Sequence, residues 1–193
     1  MTRKTSHFQR KEPILEKILQ KIRFRKVFPF VKNGYKVLDI GCGYKGALLK
    51  ILSSDIDKGV GVDFAVTKKI VAKNVKLVSQ KNLKLPQNYF DLVTCLAVVE
   101  HLENPKALIA KAYGSLKKNG KLIITTPSPI AKPILEFLAF KLKVISKQEI
   151  KDHKKYYDKK ELIDLLAFCG FKQRNIEIKY FTFGVNILAV SVK

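Results

Sequence analysis

Cysteine is scarce in this 193-residue chain. Cys42, Cys95 and Cys169 stand alone and are odd in number. They show no metal-ligand spacing and argue against a disulfide framework, so no residue is assigned to a metal. No apolar run approaches the ~20 residues of a membrane-spanning helix. Met1 to Lys11 is polar and basic and lacks the apolar stretch of a secretory signal. These absences predict a cytoplasmic protein with reduced thiols, at most peripheral to a membrane. Internal repeats and low-complexity linkers are missing, and one domain is expected at this length. Acidic residues are also few: 16 Asp and Glu face 38 Lys and Arg, a net charge of +22. That excess suits an anionic partner, whether nucleic acid, an anionic membrane or an acidic substrate. It equally suits a lysine-rich composition that solvates every surface, since the lysines are spread almost evenly. Both readings stay open. A hydrophobic content of 47% is that of a globular chain.

What is present is organised around Val37-Leu38-Asp39-Ile40-Gly41-Cys42-Gly43-Tyr44-Lys45-Gly46. Val37, Leu38 and Ile40 read as a short buried strand, Gly41 and Gly43 as a tight turn, and Ala47 to Leu52 as the opening of a helix. Glycine is needed at such a turn because a Cβ would hold the backbone away from a ligand. The hexamer Gly41 to Gly46 satisfies the dinucleotide fingerprint, and Asp63 follows at the distance expected of a ribose partner. Asp39 argues the other way. It stands at the carboxyl end of the strand, two residues before the first glycine, where it would repel a pyrophosphate. An acid there suits a ligand with a positive ammonium group, such as S-adenosylmethionine.

With Gly59-Val60-Gly61-Val62-Asp63, this stretch resembles motifs I and II of the class I S-adenosylmethionine-dependent methyltransferases. Two further segments resemble the same family in the correct order. Phe90-Asp91-Leu92-Val93 followed by Leu96 to Leu102 resembles the region after strand four in small-molecule methyltransferases of the ubiquinone-biosynthesis type, the type 11 subgroup. Leu116 to Pro127 resembles the passage into strand five. The resemblance covers roughly residues 34–192. It implies an α/β fold, a doubly wound Rossmann-like sheet of seven strands with the last antiparallel, flanked by helices. It implies S-adenosylmethionine as cofactor, held by Asp39, Gly41, Cys42, Gly43, Asp63, Phe64 and Leu96. In the family an acid four residues before a Leu-Pro pair often reaches the adenine. Here that position is Lys81, a departure, and Asn82 is the candidate in its place.

Methyl transfer is an in-line displacement on a sulfonium, so alignment and exclusion of water are the main demands. A base is needed only where the acceptor is protonated. His101 is the candidate, since imidazole titrates in the right range; an orienting, structural histidine is the other reading. Glu100, His153, Tyr156 and Tyr157 are candidate substrate contacts. The implied reaction is methyl transfer to a small-molecule or lipid-linked acceptor, at oxygen. Alternatives are an RNA or DNA methyltransferase using the basic surface, or a non-catalytic membrane-surface protein with the methyltransferase fold. No Asn/Asp-Pro-Pro-Tyr/Phe follows strand four and no Pro-Cys occurs, which opposes base methylation.

The flanks complete the expected layout. Residues 1–33 form a basic arm, Thr2 to Glu12, and an amphipathic helix starting at Pro13. Residues 1–32 hold ten Lys and Arg against Glu12 and Glu16. Ile14, Leu15, Ile18, Leu19 and Ile22 recur at helical spacing, as a stripe packed on the sheet or as a membrane-surface face. Residues 34–193 form the methyltransferase domain, with a helical cap insertion at about 128–150 that leaves little polar face. A lid over an apolar acceptor is expected there, against a dimer contact or an interfacial helix, where each lysine near an anionic leaflet adds about 1 kcal/mol. Short helices are expected at 67–73 and 105–118. Asp158 and Glu161 spell a capping box before the last helix.

Overall fold

The computed structural model describes residues 13–80, 84–142 and 144–193, apart from the side chain of Glu149. The basic arm, Lys81, Asn82 and Lys143 lie outside the described residues.

β-branched and aliphatic runs make the sheet. Its strands are β1 (Tyr35–Ile40), β2 (Ile56–Asp63), β3 (Lys68–Ala72), β4 (Val75–Ser79), β5 (Phe90–Leu96), β6 (Leu116–Pro127), β7 (Ile176–Phe181) and β8 (Asn186–Val192). They align in the order β3-β4-β2-β1-β5-β6-β8-β7. β1 pairs in parallel with β2 and β5, and β8 runs antiparallel between β6 and β7. The helices are α1 (Ile14–Val27), α2 (Ala47–Leu52), α3 (Pro105–Ser115), α4 (Ala131–Glu136), α5 (Lys147–Lys151) and α6 (Lys159–Phe168).

The central strands are hydrophobic on both faces, as a sheet covered on both sides requires. Leu38, Ile40, Val93 and Leu122 point to the side of α3 and α6, where Ile109, Leu162 and Leu166 are buried. Val37, Leu92 and Ile123 point to the other side, against Leu48, Leu49 and Val27. Each residue thus alternates faces along its strand, and the period of two fixes the register.

The observed sheet has eight strands where seven are expected. Residues 67–73 form no helix: Lys68–Ala72 is the edge strand β3, antiparallel to β4. Ile70 and Val71 favour a pleated strand over so short a helix. The Asn74 side chain braces the turn by donating to Ser53 O and Ile56 O at 3.0 and 2.7 Å. α3 stops at Ser115, short of the expected 118, because the backbone turns early into β6 and Asn119 adopts φ +64°.

α1 divides between the two settings expected of its stripe. Its C-terminal Val27 is buried, but Ile14 is 78% exposed and Ile18 is exposed as well. The apolar stripe is therefore not laid on the sheet along its length. The N-terminal half reaches the cap instead, where the Ser146 N–H donates to Glu16 Oε1 at 2.6 Å. The cap runs through α4 into a π-helical turn, Phe137–Lys141, and then α5. Ala131, Ala139 and Ile145 face inward and are buried.

Candidate active site

The carboxyl ends of β1 and β2 meet at the glycine turn. Gly41 and Gly43 have φ +78° and +67°, values that side chains rarely adopt. A Cβ on Gly41 would collide with Val98 Cγ2, whereas one on Gly43 would meet nothing within 4 Å. The turn is thus pinned beneath and open above. The Gly41 and Cys42 N–H groups both donate to Val62 O, at 2.7 and 3.2 Å, which ties the turn to β2.

Two carboxylates flank this opening. Asp39 is only 4% exposed, and its Oδ1 accepts from Thr94 Oγ1 at 2.7 Å. Asp39 and Thr94 are register partners on β1 and β5, which is why they share a face. Burial pushes the Asp39 carboxyl up to about 7; the Thr94 hydrogen bond opposes this and the charge of Asp63 adds to it. Asp63 caps β2, its Oδ2 accepting from Gly43 N at 3.0 Å and its Oδ1 from Ala65 N at 2.8 Å. Phe64 beside it is 54% exposed, leaving a ring face open to a flat group. Leu96 is half-buried at the end of β5. Burial raises the Cys42 thiol strongly, so it stays protonated beside these acids.

These residues fit S-adenosylmethionine. A concentration of negative charge with an open turn above it accepts a sulfonium and an ammonium and disfavours a pyrophosphate. Asp39 and Asp63 would hold the cofactor's methionine portion and ribose respectively, with Phe64 against the adenine.

The second group of residues lies past β5. Ala97 takes φ +54°, and a 3-10 turn, Val99–His101, follows. Glu100 is 1% exposed, and its Oε2 accepts from Thr126 Oγ1 at 3.2 Å. Its carbonyl accepts from Lys154 N and Lys155 N at 2.7 and 3.2 Å, which draws the 152–156 segment over the turn. The rings of His101 and His153 therefore meet edge-on, with centroids 4.7 Å apart. Tyr156 Oη lies 3.0 Å from His153 Nδ1. Burial, His101 and Arg23 lower His153 to about 4, while Asp152 opposes them. Burial, with the charges of Glu136 and Glu100, raises Tyr156 to about 12. Tyr156 thus keeps its proton and shares a hydrogen bond with a neutral His153, whose tautomer sets the direction. Glu100, His101 and His153 also bring one ligand-type atom each within 4.8 Å of one another, a donor set able to take a divalent cation.

The structure thus gathers Asp39, Gly41, Cys42, Gly43, Asp63 and Phe64 into one cluster, and Glu100, His101, His153 and Tyr156 into another. Tyr157 joins neither, because its ring is buried in the core with Leu162 and Leu166. Thr94 and Thr126, which hold the two buried acids, escaped the sequence reading. Their signal was a hydroxyl within an otherwise apolar strand.

Residues 8–175 match the family described as "Methyltransferase domain". A ubiquinone biosynthesis O-methyltransferase of Photobacterium profundum is 28% identical over 156 residues, which cover 74% of this chain and 66% of the relative. One from Glaesserella parasuis is 32% identical over 115 residues, covering 51% and 48%. The chain therefore spans half to two thirds of the length of these curated relatives. A SAM-dependent methyltransferase from Archaeoglobus fulgidus has the same fold. Its TM-score is 0.68 at 22% identity, over 91% of this chain and 94% of that one.

Proposed function

The chain belongs to the methyltransferase-domain family, and from that premise we propose that it transfers a methyl group from S-adenosylmethionine to an oxygen of a small or lipid-linked acceptor. The observation that carries the reading is the acid pair at the glycine turn, Asp39 and Asp63, converging where the strands of an open α/β sheet bind ligands. The preference for oxygen is supported by the two relatives described as O-methyltransferases.

When bound, the cofactor supplies an electrophilic methyl on a positively charged sulfur. The residues of this chain do the rest. Asp39 would hold the cationic methionine portion by charge and Asp63 the ribose hydroxyls by hydrogen bonds, and the glycine turn lets the backbone approach the ligand. His101 receives the proton of the acceptor hydroxyl. His153 stands edge-on to the His101 ring and holds it in place, and Tyr156 holds His153. The inward face of the cap shields the reaction from water. The half-buried Leu135 and Leu138 on that face suit an apolar body on the acceptor.

The test is calorimetric titration of S-adenosylmethionine, and separately of NAD, into the wild type and Asp63→Ala. Binding of S-adenosylmethionine, weakened by the substitution, is the expected result. Binding of NAD alone, or of neither, would overturn the cofactor reading.

A further inference from the structure

The cap carries more apolar surface than the body can cover. While Ala131, Ala139 and Ile145 face inward, Ile130, Ile134, Phe137, Phe140, Leu142 and Val144 are exposed. Ile130, Ile134 and Phe137 recur at i, i+4 and i+7, one stripe of a helix. The foot of that stripe abuts the turn between β7 and β8, because Ser128 N donates to Val185 O at 2.9 Å and Ser128 Oγ to Gly184 O at 2.6 Å. At the tip of this turn Phe183 is fully exposed, with φ +55°, after Thr182 at φ +53°. Two successive non-glycine residues in the left-handed region cost conformational energy. Here that backbone presents a bare phenyl ring to solvent, at the turn bonded to the foot of the cap. Ile14 and Ile18 of α1 are exposed too, but they lie two residues from Glu16 and so turn away from the face that bonds the cap.

Charge rings this surface. Among the described residues of the 131–151 segment, the exposed charges are Lys132, Lys141, Lys147 and Lys151 against Glu136. Lys147 and Lys151 each place Nζ 6.0 Å from the centre of the Phe140 ring. No helix among the described residues is long and apolar enough to cross a membrane.

We propose that the outer face of the cap and the Phe183 tip dock this protein onto an anionic lipid leaflet. Apolar side chains enter the acyl boundary while lysines remain at the headgroups. Two other occupants suit the surface less. A second copy would bring like-charged rims together in a chain of net charge +22. Nucleic acid offers phosphates to the lysines but little to Ile130, Ile134 and Leu142. The inference does not depend on which acceptor is methylated, or on methylation at all.

The experiment is co-sedimentation of the full chain with phosphatidylcholine vesicles, with and without phosphatidylglycerol. The same preparations are followed by analytical ultracentrifugation without lipid. Wild type should sediment with the anionic vesicles and not with the neutral ones. Phe183→Asn and Phe137→Ser should each lower the vesicle partition coefficient about tenfold, the size expected when one phenyl group no longer leaves water. Asparagine accepts the left-handed backbone, so Phe183→Asn should melt no lower than wild type. Loss of binding and retained stability then separate docking from misfolding. Four results would overturn the proposal. They are equal sedimentation with neutral vesicles, no sedimentation of wild type, variants that bind like wild type, and a concentration-dependent dimer abolished by the same substitutions without lipid binding.

Discussion

Asp39 shows how function and stability pull apart at one side chain. Its pKa stands near 7 in the fold against 3.8 for an unperturbed carboxyl. Between those values the folded state binds the extra proton, so this group's contribution to stability falls as pH rises from about 4 to 7. His153 acts with the opposite sign. Its folded value near 4 lies below the ordinary 6.5, so the unfolded state binds more protons in that window and stability rises with pH. Asp39→Asn keeps an acceptor for Thr94 and removes the first effect. Its unfolding free energy should therefore rise more steeply with pH than that of wild type between pH 4.5 and 6.5, by at most about 1.4 kcal/mol per unit. Urea titrations at several pH values read this directly, and parallel slopes would show that Asp39 is ionised in the apo fold. The same variant should lose S-adenosylmethionine affinity. In wild type that affinity should rise as pH climbs through 7, because the cationic ligand draws the proton off Asp39. Gly41→Ala provides a control of different origin. Its methyl meets Val98 at an unfavourable φ, so both affinity and melting temperature should drop.

At the scale of elements, those fixed by local chemistry were legible and those fixed by neighbours were not. The Asp158–Glu161 capping box reads straight from spacing, and both of its hydrogen bonds form, at 2.8 and 3.0 Å. Asp158→Ala should cost about 1 kcal/mol, measured by urea unfolding. Glu161→Gln should cost less, since the amide can still accept from Asp158 N and the Lys155 ion pair it gives up is largely solvated. Lys68–Ala72 was misread as a helix because five residues carry too little periodicity to separate helix from strand. Pairing with β4 decided it. The setting of the α1 stripe stayed open for a related reason, since helical spacing says that one face is apolar but not what covers it. The site was legible through Asp39, the glycines and Asp63, which lie within one strand–turn–helix unit and the next strand. The His101–His153 stack was not, as it is made by a backbone contact between Glu100 and Lys154 across more than fifty residues. Glu16 joins α1 to the cap in the same long-range way. Glu16→Ala should leave the global melting transition nearly unchanged and speed amide exchange across residues 131–151. Unchanged exchange there would mean that α1 does not hold the cap.

For the whole molecule, the question is whether the charge is concentrated or diffuse. Exposed lysines guard both edges of the sheet, Lys68 and Lys69 on β3 and Lys179 on β7. Such placement blocks strand-to-strand aggregation at two open edges and needs no ligand. Others, such as Lys111, Lys118 and Lys160, lie far apart in the chain and equally exposed. A nucleic-acid enzyme concentrates cations along one track and adds base contacts to them. A diffuse arrangement would bind polyanions without selectivity. RNA of any sequence should associate in low salt, with affinity falling steeply as salt rises. Bound RNA should leave S-adenosylmethionine affinity unchanged, because the acids at the glycine turn repel phosphate. Fluorescence anisotropy with two unrelated RNAs across a salt series measures both. Strong preference for one RNA that survives at 0.2 M salt, or coupling between RNA and cofactor binding, would shift the substrate from a small acceptor to a nucleic acid. Uniform, salt-labile binding would leave the charge as a property of the surface and the chemistry with the two clusters at the sheet's carboxyl edge.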